Sequence, residues 1–169
     1  MELYIYIYYF FYPELKPLIG NDLNKDLSEF GDRILIDFDE KRLEGENDSP
    51  IRSIIRRDSI DEFVIYVSQS NLPLSVQIKP SIFETHPLLS NKKTTLIEYA
   101  TFFGSIRIFQ YLVSNGIVIE KSLWPFAIHS NNPELISILE EKCEKISDVQ
   151  ILHESIKCHH NEIVNYFYD

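Results

Sequence analysis

Cysteine is scarce: Cys143 and Cys158 are the only two in the chain. That is too few for a disulfide scaffold, so a reducing, cytoplasmic setting is expected. Glycine is scarce as well, five in 169 residues, and no glycine-rich loop of the kind that cradles a phosphate is present. Positive charge is short: 16 Lys and Arg stand against 26 Asp and Glu, a formal net charge of -10. Nucleic-acid binders gain affinity from cations that neutralise phosphates, so the balance argues against that class. It argues equally against electrostatic docking on anionic lipid.

Long apolar runs are also missing. The amino terminus, MELYIYIYYFFYP, is unbroken only from Leu3 to Tyr12, whereas a membrane-spanning helix needs about 20 apolar residues. Pro13, Glu14 and Lys16 end the run. Glu2 stands where a signal peptide carries positive charge, and no small-residue cleavage site follows. The Tyr/Ile alternation predicts a strand. A buried first segment of a longer fold and a misplaced start in an AT-rich gene are the alternatives. Left uncovered, the segment is an aggregation hazard.

What the chain does have is 44% hydrophobic and 13% aromatic residues, enough for one domain with a sizeable core. Residues 21–48 hold ten Asp/Glu against four Lys/Arg and read as a solvated acidic linker. RILIDFD, residues 33–39, predicts a short strand. Asp37, Asp39 and Glu40 have no matching ligand pattern nearby for a metal. The first 48 residues therefore form an apolar and acidic segment, and residues 49–169 a second region of different character.

In that region helix start signals follow one another. Ser49-Pro50 and Asn132-Pro133 each place a cap before a proline. Ser59–Glu62, Thr95–Glu98 and Ser147–Gln150 have capping-box spacing. Gly116 fits the left-handed residue that ends a helix. Helices are expected near 50–57, 60–69, 95–103, 106–115, 123–130, 133–142, 148–158 and 161–168. They are short, come in pairs, and need neighbours to persist. Residues 68–94 form a longer connection.

The pairs align. Ala100, Ala127 and Ser155 are 27 and then 28 residues apart, with Ile54 at the same place in a weaker first unit. Gly104, Asn131 and His159 follow four residues later, at the expected turn. Apolar stripes come next, such as Ile108, Phe109, Tyr111 and Leu112, then Leu135, Ile136, Ile138 and Leu139. Their spacing makes one buried face.

TLIEYATFFGSIRIFQYLVSNG, residues 95–116, resembles an ankyrin repeat. Thr95, Ala100, Gly104, Leu112 and Gly116 match the motif's Thr, first Ala, turn Gly, second-helix Leu and terminal Gly. Leu96, Ile97 and Glu98 replace the Pro-Leu-His that follows Thr in the family. Ala127, Leu139 and Ser155 are the corresponding positions of the later, more divergent units. SIFETHPLL and ESIKCHHNEIVNYF are also similar to a set of ankyrin-like proteins expanded in single-celled parasitic eukaryotes, to which no activity is assigned. The resemblance implies an all-α, ankyrin-like solenoid of stacked helix pairs over residues 49–169. Its steps fall short of the ordinary repeat of about 33 residues, so the projecting β-turn fingers would be shortened. Contact would then rest on the concave helix face or on the 68–94 loop. Nothing follows the apolar last helix to cover it, which suggests a fragment or short relative of a longer array.

The implied function is a non-catalytic protein–protein interaction module, an adaptor or scaffold with a protein partner and no cofactor. The alternative is a structural appendage, or a truncated piece of a longer repeat protein. The residues that invite chemistry fit this reading. Cys158, His159 and His160 are consecutive, and consecutive helical side chains point about 100° apart, so they do not converge on one ion. Zinc wants paired ligands at fixed spacing, and Cys143 and His153 supply none. Cys158 lacks an oxyanion-hole motif and an orienting third group. His129 reads as a structural residue at a helix end. Arg52, Arg56 and Arg57 form a small basic cluster, either a solvated face or a partner contact. Trp124, placed after an expected cap at Ser122, is either core or a binding anchor.

Overall fold

The computed structural model describes residues 10–15, 17–18, 38–44, 49–81, 83–90 and 93–168. The chain divides into two compact units, residues 1–49 with 79–93, and residues 50–78 with 94–169. The division moves residues 79–93 out of the region that begins after residue 48.

The regular elements among the described residues of the first unit are helices. Helix α1 spans Tyr12–Leu15 and α2 spans Phe38–Glu44. Where the expected strands reach the described residues, at 10–12 and 38–39, the chain is helix or turn rather than strand. Pro13 pre-sets φ for a helical first turn, and Glu, Lys, Arg and Leu in FDEKRLE all favour helix. Residues 3–9 and 33–37 of those strands lie outside the described residues. Arg42 joins the two helices: it donates to the Phe10 carbonyl at 3.1 Å and forms an ion pair with Glu14. Phe38 packs on Phe83, ring centroids 5.5 Å apart.

In the second unit the start signals work locally. Helix α3, Pro50–Arg56, begins at its proline and is followed by α4, Ile60–Ser70. A two-residue strand β1, Gln77–Ile78, precedes α5 of the first unit, Pro87–Ser90. It pairs antiparallel with β2, Thr94–Thr95, at Gln77↔Thr95 and Ile78↔Thr94. Then come α6, Leu96–Phe102, and α7, Ile106–Ser114. A 3-10 turn at Lys121–Leu123 leads into α8, Trp124–Ser130, so Ser122 lies inside that turn and is not the cap. Helices α9, Pro133–Lys142, α10, Asp148–Lys157, and α11, Asn161–Tyr168, complete the unit.

Thr95 and Ser147 close capping boxes, and Asn132 accepts from the Glu134 and Leu135 amides. The third expected box, at Ser59, does not close on the backbone. Its hydroxyl donates to one Glu62 carboxylate oxygen at 3.0 Å while Arg57 holds the other at 2.9 Å. A nearby cation has taken the carboxylate that the box required.

Four helix hairpins result, and their turns share one conformation. Asp58, Gly104, Asn131 and His159 have φ of 48°, 69°, 52° and 59°, the left-handed region that ends a helix. In three of the four the next amide reaches back to the residue four before the turn: Ser59 to Ile54, Ser105 to Ala100 and His160 to Ser155. This is the Schellman pattern, and it gives a physical reason for the spacing seen in the sequence. At the remaining turn Asn132 donates instead to the Ser130 hydroxyl, 3.3 Å.

Successive first helices touch, α3 to α6, α6 to α8 and α8 to α10, and α4 touches α7. The core lies along this line. Ala100, Ala127 and Ser155 are all fully buried there. Ser155 carries a penalty that the alanines avoid, because its hydroxyl finds no hydrogen-bond partner among the described residues.

Candidate functional site

The turns hold the hairpins together with polar side chains. Asp58 in the first turn accepts from the Arg107 and Ile108 amides at 3.0 Å each. It thereby caps α7 of the second hairpin from outside, where a helix leaves free N–H groups. Ser105 donates to the Ile55 carbonyl at 2.6 Å. Asn132 of the third hairpin donates to the Gly104 carbonyl at 3.2 Å. His160 of the fourth bonds to the His129 carbonyl at 3.1 Å through Nε2. The Asn131 side-chain Nδ2 donates to the Glu162 carboxylate. This edge of the unit is occupied with its own internal contacts.

Cys158, His159 and His160 belong to that edge. His159 is the left-handed turn residue, and His160 is a tie between hairpins. Burial pushes the Cys158 thiol up, and the Glu154 carboxylate adds to the rise, the reverse of what an activated nucleophile needs. Burial also raises Cys143, against a bond from Trp124. Among the described residues no group of three or more His, Cys, Asp or Glu is placed to hold a metal. His129 stacks on Phe102, centroids 3.9 Å apart and planes at 16°.

Thr95 starts α6, while Ala100, Leu112, Ala127, Leu139 and Ser155 are buried. Gly104 turns, and Gly116, φ 90°, follows α7. The residues considered as partner contacts do not make one patch. Arg52 is 4% exposed, with its guanidinium 5.8 Å from the Tyr99 ring centre. Arg56 lies 4.8 Å from the Phe103 ring centre and donates to the Tyr99 hydroxyl. Arg57 is exposed and engaged with Glu62. Trp124 is fully buried and donates its indole N–H to the Glu144 carbonyl at 3.1 Å. Both side chains are buried: Trp124 takes the core place that was one of its two readings, and Arg52 sits neither on a solvated face nor at a partner contact, because each packs against an aromatic or a backbone partner.

A groove of about 220 Å³ lies where β2 and the start of α6 meet the connection between α7 and α8. Leu74, Ile97, Ile117, Val118 and Leu123 give it apolar walls. Its two charged lining residues, Glu98 and Glu120, are both carboxylates, and Ser75, Thr95 and Ser122 supply the hydroxyls. The Glu98 carboxylate is spent on the capping box, accepting from the Thr95 amide at 2.8 Å. Glu120 is exposed. The sequence reading passed over Ile117–Glu120. The available signal was a β-branched run between Gly116 and the next helix.

Comparison with known proteins finds no match: no family model, no curated protein and no solved structure matches the chain. Among the described residues no helix is long and apolar enough to cross a membrane.

Proposed function

We propose that residues 50–78 and 94–168 form an ankyrin-like solenoid with shortened fingers that works as a non-catalytic protein-binding module in the cytoplasm. The observation that carries this reading is the recurring left-handed turn at Asp58, Gly104, Asn131 and His159. It is joined from hairpin to hairpin by Asp58, Asn132 and His160. A stack tied this way presents a rigid surface at low ordering cost, which suits recognition. The turn edge is consumed by its own bonds, so the groove beside Val118 is the face offered to a protein partner, and no catalytic step is assigned to it.

A second reading, a structural unit whose fourth hairpin is covered by further helices, is favoured by Val149 and Ile156. They are 75% and 59% exposed. In the shared register Ile156 corresponds to Thr101 and Ile128, both fully buried.

A photo-crosslinking residue placed at Val118 of the full chain, with Ile65 as the control site, tests the first reading in native lysate. One adduct is expected at Val118, competed away by unlabelled chain, identified by mass and then binding saturably when purified. Adducts of equal spread at both sites, or none at Val118, overturn it. Sedimentation of the purified chain tests the second reading, which requires association that Ile156→Glu abolishes.

A further inference from the structure

The segment behind the groove has the marks of a strand without a neighbour. Residues 117–120, Ile-Val-Ile-Glu, are in neither helix nor turn, and Glu120 has φ −115° and ψ 155°. Exposure alternates along it: Ile117 and Ile119 are half-buried, Val118 and Glu120 exposed. A period of two is the strand period. Ile117 donates its amide to the Leu112 carbonyl at 3.1 Å, and the Glu120 carbonyl accepts from Leu123 at 3.0 Å. Between those two anchors the Val118, Ile119 and Glu120 amides have no hydrogen-bond partner among the described residues. Backbone groups of this kind are a template for an added strand.

We infer that Ile117–Glu120 is the receiving edge for an extended peptide segment of a protein partner, which adds as a β-strand and has apolar residues alternating with cationic ones. The inference rests on the protein-binding reading above and narrows it to one kind of ligand. The alternating apolar side chains enter the groove between Leu74, Ile97 and Leu123. The cationic ones, on the opposite face of the added strand, meet the exposed Glu120 carboxylate, and no cation is among the described residues that line the groove. Main-chain bonds supply affinity and alternate side chains supply selectivity, the division of labour in strand addition. The net charge of -10 favours the same sign of partner at longer range.

The test uses the full chain and a fluorescent pentapeptide of alternating lysine and valine, read by anisotropy. One comparison peptide carries glutamate in place of lysine. Two more carry N-methyl groups on alternate amides, in the two possible phases. Only one phase of an extended strand faces a given edge, so one N-methylated peptide should bind about tenfold more weakly and the other like the parent. The glutamate peptide should bind at least about tenfold more weakly than the lysine one, and Glu120→Lys should narrow or reverse that preference. Equal binding by both N-methylated peptides and the parent overturns strand addition. Indifference to peptide charge overturns the cationic assignment. If no peptide binds while the Val118 crosslink still yields its saturable adduct, strand addition falls and the binding-module reading stands. If both fail, both readings fall.

Discussion

In the second hairpin every residue of α6 from Leu96 to Phe102 is buried, whereas in α10 of the fourth only Ile151 and Ser155 are. Yet both helices start from a closed capping box, and both are followed by a left-handed residue, Gly104 or His159. The amide after each turn returns to the same relative carbonyl, at 2.9 Å in both. Local chemistry thus builds the two hairpins alike. Their burial differs because α6 has α3 on one side and α8 on the other, while α10 packs on α8 and on its own partner α11. In this unit conformation is written within a hairpin and stability between hairpins.

The largest test of that separation is in the core. Phe109, fully packed in the second hairpin, should cost about 4 kcal/mol when replaced by Ala. Ile156, exposed in the fourth, should cost less than about 0.5 kcal/mol on the same change. Urea unfolding of both variants measures the gap, and similar losses would break the comparison.

A smaller effect, of opposite sign in the two hairpins, is expected at the turns. Gly104→Ala forces a side chain into the left-handed region at a cost of about 1–2 kcal/mol. The added Cβ would meet Asn132 at 3.5 Å, an ordinary contact, so the loss comes from the backbone. His159→Gly relieves the same strain and should stabilise by up to about 1 kcal/mol. Thermal melts that show no sign reversal would mean that the turns are not equivalent.

The smallest effect is electrostatic and confined to the fourth hairpin. The Glu162 carboxyl is held below its ordinary value, first by its own backbone amide, then by the Asn131 side chain, with His160 adding to the effect. A depressed carboxyl stabilises the fold above its unfolded value, and that contribution is lost as pH falls through the folded value. Melts between about pH 7 and pH 3 should therefore fall slightly more steeply for the natural chain than for Glu162→Gln. Parallel curves would show that this tie carries no linkage.

The eight helices of the hairpins were legible in the sequence to within a residue or two, because caps and left-handed turn residues are local signals. The register was legible for the same reason: the carbonyls of Ile54, Ala100 and Ser155 are the acceptors of the Schellman bonds. Pairings distant in the chain were not. The β1–β2 ladder is two residues long on each side, too short for a period to show. The basic cluster dissolved because Tyr99 and Phe103, more than 40 residues away, draw Arg52 and Arg56 onto their rings. The groove takes its walls from three separate stretches of chain, so no one stretch announces it.

Trp124 is the chain's one tryptophan. Its ring lies edge-on to Phe167 of the fourth hairpin, centroids 6.0 Å apart, and its N–H is tied to the Glu144 carbonyl. The molecule therefore carries a built-in optical gauge at the seam between its last two hairpins. When the fourth hairpin lifts away, water reaches the indole and its emission shifts to the red. When the first hairpins loosen and this seam holds, the spectrum stays where it was. The order in which the unit comes apart can be followed in the unlabelled chain by comparing that colour change with the loss of helical circular dichroism.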